Sequence, residues 1–126
     1  MKLEIDTIIS LLATIADSPD RGITIVDKIY SIDPKKINYH LLLMIEGGLI
    51  HGWDMSSGSE LSVLVDRLTW KGHCFLTHAQ NETVWNRFKR LEKEVGEISF
   101  DLICTALSRI AEHVIKDGIH TKEMIQ

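Results

Sequence analysis

His73, Cys74 and His78 fall within six positions, and Cys74 and His78, four residues apart, would share one face of a helix. A thiolate and an imidazole so placed can bind a borderline metal such as zinc. No Cys-x-x-Cys or His-Glu-x-x-His accompanies them, and His40, His51, His113 and His120 are scattered. The expectation is therefore a small buried cysteine beside surface or hydrogen-bonded histidines, and no metal. Catalysis finds little support: there is no glycine-rich phosphate loop, no nucleophile elbow and no carboxylate pair in a setting that shifts protonation. Ser62, Ser99 and Ser108 carry no local motif, so no catalytic residue and no cofactor is expected.

Cations form two groups. Lys35 and Lys36, followed by Asn38 and Tyr39, combine charges for phosphates with an amide able to pair with adenine, and Arg67 lies farther on. Arg87, Lys89, Arg90 and Lys93 cluster over two turns but are flanked by Glu82, Glu92, Glu94 and Glu97, so ion pairs on a solvated face account for them. Trp70, Phe75, Leu76 and Trp85 could stack on bases. Packing between helical layers is the expected use of these rings, with Trp53 the one left exposed.

The elements that must position these residues follow from periodicity and punctuation. Leu3 to Asp17 repeats Ile5, Ile8, Ile9, Leu12 and Ile15 at helical spacing, and the stretch Asp17 to Gly22 stops it. Ile23 to Val26 and Lys28 to Ile32 suit a short strand, and a brief helix through Val26 to Ile29 fits as well. Asp33-Pro34 opens a helix with Ile37, Leu41, Met44 and Ile45 inside, and Gly47-Gly48 closes it. Leu49 to Trp53 and Leu61 to Leu68 then make a hairpin around the polar loop Met55 to Glu60. Thr69 caps a helix from Trp70 to Ala79, Asn81 caps another from about Glu82 to Val95, and Ser99 caps the last, ending at Gly118.

This order predicts a mainly α fold with a small β-hairpin: a winged helix-turn-helix with a C-terminal helical extension. The 126 residues form a single domain, with the winged part at about 3–68, the extension at about 69–118 and a frayed tail at 119–126. On the last helix Phe100, Ile103, Leu107, Ile110 and Val114 form an apolar seam, widened by Leu102, Ala106, Ala111 and Ile115. The seam is expected to pack within the chain and to pair with its symmetry mate in a homodimer.

The strings Lys36-Ile37-Asn38-Tyr39-His40-Leu41, Ile45-Glu46-Gly47-Gly48-Leu49-Ile50, Arg67-Leu68-Thr69-Trp70-Lys71-Gly72-His73-Cys74-Phe75-Leu76 and Thr83-Val84-Trp85-Asn86 resemble an uncharacterised family of small bacterial proteins, often encoded in phages and prophages. The resemblance covers most of the chain. It implies a small winged-helix-like protein, with mobile elements or host–phage conflict as its setting, and it supplies no catalytic residues.

The first function expected is a non-catalytic DNA-binding regulator that reads duplex DNA through Lys35, Lys36, Asn38, Tyr39 and Arg67. Charge argues for a competitor. Fourteen Lys and Arg oppose eighteen Asp and Glu, giving a net charge of −4, so no global field draws the chain to nucleic acid. Asp20 to Trp70 holds five cations against seven anions, and Asp54 to Glu60 has no Lys or Arg for a phosphate. The same fold binding a host or phage protein is the alternative. No apolar run approaches the roughly 20 residues of a membrane span. The two cysteines show no close pairing, so the cytoplasm is the expected location.

Overall fold

The computed structural model describes the backbone of residues 1–125 and the side chains of residues 1–119. Its elements are α1 (Ile5–Asp17), β1 (Ile23–Thr24), α2 (Pro34–Glu46), β2 (Ile50–Asp54), β3 (Val63–Leu68), α3 (Trp70–Gln80), α4 (Glu82–Val95) and α5 (Phe100–Ile125). The described chain is mainly helical with one small antiparallel sheet in the order β1-β3-β2. It divides into two compact units, Met1–Leu76 and Thr77–Gln126, the boundary falling within α3.

In the first unit α1 lays Ile8, Leu11, Leu12 and Ile15 against α2 and β3. Each such buried aliphatic side chain is worth about 1.5–3 kcal/mol. Asp33 caps α2 by accepting the Lys35 N–H at 3.0 Å, with Pro34 in the first turn. The other end is a Schellman closure: Gly48 takes φ +76°, its N–H donates to Ile45 O at 3.1 Å, and the Leu49 N–H donates to Met44 O at 2.8 Å. Leu49 and Met44, the residues that meet across this motif, are both buried.

The closure turns the chain straight into β2. Strand β3 pairs antiparallel with β2 on one side and β1 on the other, and a register shift at His51/Gly52 marks a bulge. Glycine is required there because a Cβ at Gly52 would lie 2.6 Å from Leu64 O. Where the sequence allows a longer strand or a brief helix, β1 has only two residues, and a turn with Lys28 N–H donating to Ile25 O at 2.9 Å follows. Ile25 is buried, so the segment is held by one anchor rather than by a regular element.

Thr69 sets the start of α3. Its Oγ1 accepts the Gly72 N–H at 2.9 Å and donates to Gly48 O at 2.6 Å, and its N–H donates to Leu49 O at 3.0 Å. Lys71 Nζ donates to Gly47 O at 3.0 Å, placing a cation at the negative end of α2. Trp70, expected between helical layers, is instead 83% exposed. As the first residue after the cap it points away from the side that Phe75, Leu76 and Ala79 bury.

In the second unit Asn81 caps α4 through its Oδ1 and the Val84 N–H at 3.1 Å, and Gly96, at φ +86°, ends it. Val84 and Phe88 on α4, which packs on α5, are buried, as are Ile103, Leu107 and Ala111 on α5. Helix α5 continues through Gly118, where the sequence reading ends it, to Ile125. Glycine weakens a helix interior by about 1 kcal/mol without forbidding it. Gln126, the end of the expected tail, lies outside the described residues.

Candidate functional site

The expected reading residues fall on the first half of α2, and their side chains separate into two groups. Lys35 is exposed, while Lys36 forms an ion pair with Glu4 at the start of α1. Asn38 turns toward the hairpin, where its Nδ2 donates to Leu61 O at 3.1 Å. Tyr39 is half-buried with its ring edge-on to His40, 5.5 Å between centroids. Arg67, on β3, donates from its guanidinium to Leu68 O at 3.3 Å and sits 3.8 Å from Asp66. Lys36 and the Asn38 Nδ2 are thus engaged in contacts within the chain. Four- and three-residue steps along α2 leave Lys35, Tyr39, Leu42 and Glu46 as its outward row.

His40 was not marked by its spacing, yet it is fully buried. Its Nε2 accepts the Glu4 N–H at 2.9 Å, and its Nδ1 lies 2.8 Å from Lys36 O. A neutral ring with its proton on Nδ1 satisfies both contacts. The Glu4 carboxylate also accepts from Thr7 Oγ1 at 3.2 Å. The Lys36 ammonium beside it holds that carboxyl below its ordinary value of 4.5. These contacts brace the start of α1 on α2 from 36 positions away, a link with no local signature.

The hairpin loop is organised rather than slack. Met55 N–H donates to Ser62 O at 2.8 Å, and Ser57 and Glu60 exchange two backbone hydrogen bonds of 3.0 Å around Gly58, at φ +59°. Asp54 accepts the Ser56 N–H at 2.9 Å, and its hydrogen bonding to Ser56 lowers its pKa. Trp53, at 51% exposed, and Met55 lie open beside these acids. Between α2 and the loop runs a groove of about 390 Å³, lined by Val26, Asn38, Met55, Glu60, Leu61 and Ser62 among others.

Arg21, just ahead of β1, grips Asp66 on the central strand β3 with two hydrogen bonds of 2.6 and 2.8 Å. The guanidinium pulls the Asp66 carboxyl below its ordinary 3.8, and the carboxylate raises the arginine. On α4, Lys89 lies 4.8 Å over the Trp85 ring and 3.4 Å from Glu92, while Arg87 approaches Asp117 at 3.5 Å. Among the described residues no three His, Cys, Asp or Glu side chains gather as a metal site, and no helix is long and apolar enough to cross a membrane. Cys74 and Cys104 stand as thiols.

Of the expected partner seam, Ile103 and Leu107 are buried within the single chain, and Phe100, Ile110 and Val114 are half-buried. Among the described residues, the large apolar side chains that α5 leaves exposed are Leu102, Ile115 and Ile119.

The site is thus a helix-and-hairpin face, short of cations, on a mainly helical chain. Residues 2–98 match the family model described as "Hypothetical protein (DUF2513)", and the chain belongs to that family. An uncharacterized protein of Haemophilus influenzae is 35% identical over 116 residues, which span 91% of this chain and 96% of the relative. No solved structure matches the chain.

Proposed function

We propose that the first unit is a winged-helix scaffold without catalytic activity, whose α2 and hairpin bind a protein partner. The scaffold reading is supported by the order α1-β1-α2-β2-β3, by α2 feeding directly into the hairpin, and by β3 lying between β1 and β2. It is a reduced version, since among the described residues no helix stands between β1 and α2. A phage or prophage origin and a cytoplasmic location belong to the same reading, in keeping with the two thiols.

One observation carries the choice of partner. Lys36 pairs with Glu4 and Asn38 Nδ2 donates to Leu61 O, so the outward row of α2 presents half-buried Tyr39 and Leu42 between a single cation and Glu46. Aromatic and apolar groups ringed by charge suit a protein surface. Regulation through duplex DNA is the second reading, favoured by exposed Lys35 and by Arg67, whose side chain is 55% exposed.

Salt dependence separates the two. Two phosphate contacts give a slope of about −1.8 in log affinity against log salt, or roughly a 12-fold loss between about 50 and 200 mM. A duplex binder with 6–10 contacts loses about 10³–10⁵ over the same range. The expected result is weak, shallow duplex binding, together with a protein that co-purifies with the wild type and is lost from Leu42→Glu. Tight, steeply salt-dependent duplex binding abolished by Lys35→Glu would replace this reading with the second.

A further inference from the structure

We propose that the groove between α2 and the hairpin loop seats one basic side chain, a lysine or arginine in an apolar stretch of the partner. The inference rests on the protein-binding reading and names what that face takes. Val26, Met55 and Leu61 form an apolar wall suited to the methylene stem of such a side chain. The polar lining is Asn38, Ser57, Glu60 and Ser62, in which Glu60 is the one charged residue and the amide and hydroxyls carry acceptor oxygens. No Lys or Arg lines the groove, and among the described residues Glu60 carries no salt bridge. Asp27 and Asp54 adjoin the lining residues Val26 and Met55 in the chain and add to the negative field.

The cradle is formed before any ligand arrives. The Ser57–Glu60 pair, the Met55–Ser62 bond and the Ser62 N–H donating to Ser56 Oγ at 3.0 Å fix the loop, and Asn38 ties it to α2. Little ordering entropy is then lost on binding. An anion would meet a carboxylate with no cation beside it, and a wholly apolar group would bury Glu60 without a partner. Charge complementarity therefore selects a cation with an apolar stem.

The test is an amide-shift NMR titration of the full-length chain with three blocked tripeptide amides: Leu-Arg-Leu, Leu-citrulline-Leu and Leu-Glu-Leu. Citrulline keeps the shape of arginine and removes its charge. The expected result is that the arginine peptide shifts the Asn38 and Glu60–Ser62 amides and binds about tenfold more tightly than either control. Glu60→Gln, on an exposed loop, should reduce it to the citrulline level. Equal binding of the three peptides, no shifts at saturating peptide, or shifts confined to other residues would overturn the inference. A random-sequence duplex titrated in parallel separates the two levels. Silence from both peptide and duplex removes only the groove assignment, whereas steep, salt-sensitive shifts from the duplex on α2 without peptide binding remove the protein-binding reading with it.

Discussion

Gly72→Ala exchanges the weakest common helix former for the strongest, and on helix propensity alone it should stabilise α3 by about 1 kcal/mol. The packing of α3 reverses the sign. A Cβ at Gly72 would lie 2.0 Å from Leu49 O, a backbone atom, where such contacts essentially never fall below 3.0 Å, so the two segments must part by about 1 Å. Leu49 is fully buried, and its carbonyl accepts the Thr69 N–H at 3.0 Å. The same displacement strains the Thr69 bridge from Gly72 N–H to Gly48 O. Overpacking costs about 1–3 kcal/mol, and one or two weakened hydrogen bonds about 1 kcal/mol each. After the propensity gain, the net is a loss of about 1–4 kcal/mol, the middle of which is roughly 10 °C in Tm for a chain of this size. Urea unfolding followed by circular dichroism should show a lower midpoint. Gly118→Ala is the control: it lies within α5 with nothing within 4 Å of its would-be Cβ, and should gain up to about 1 kcal/mol. A Gly72→Ala chain as stable as the wild type would refute the packing argument.

Leu107→Ala, at a fully buried position, should cost about 2–5 kcal/mol, while Leu102→Ser on the exposed side of α5 should stay within about 0.5 kcal/mol. The same urea series decides this, and equal effects would mean that α5 is packed differently. Asn38→Ala removes the brace to Leu61 O. Hydrogen exchange should then quicken at the loop amides of Ser57, Glu60 and Ser62, and unchanged protection would show that the loop does not depend on α2. The pH dependence has a fixed sign. Glu4 and Asp66 have folded pKa values below their ordinary 4.5 and 3.8, so each contributes fully above those values and loses its contribution as the pH falls through its folded value. Stability should therefore fall on acidification through that range, less steeply in Lys36→Met and Arg21→Met; identical slopes in wild type and variants would rule out these pairs as the source.

What could be read from the chain was mostly local. Asp33-Pro34 and Gly47-Gly48 bracket α2 because a cap and a Schellman closure are written in adjacent residues. The hairpin and the starts of α3 and α4 follow in the same way from Thr69, Asn81 and the alternation in β3. The misses depend on distance. His40 meets Glu4 across 36 positions and Asn38 meets Leu61 across 23, so a polar residue needed for packing looks in the sequence like a polar residue offered to a ligand. Trp70 fails differently: an aromatic ring suggests the core, but its place beside the cap turns it to solvent.

The Lys36-Ile37-Asn38-Tyr39 segment is where those two kinds of reading collide, and the collision bears on function. A row of Lys, Lys, Asn and Tyr ahead of a hairpin matches the chemistry of groove reading, yet a bidentate pair with adenine would turn the Asn38 amide away from Leu61 O, and a Lys36 reaching for a phosphate would leave Glu4. For Lys36 the release would leave Glu4 without its cation, and for Asn38 it would leave Leu61 O unsatisfied at the lip of the groove. Each release subtracts from any affinity gained, by about 1 kcal/mol for the amide bond, whereas Tyr39 and Leu42 can be covered by a partner with no internal contact broken. In the proposed protein complex the brace therefore stays intact, and the partner covers the apolar row together with the groove.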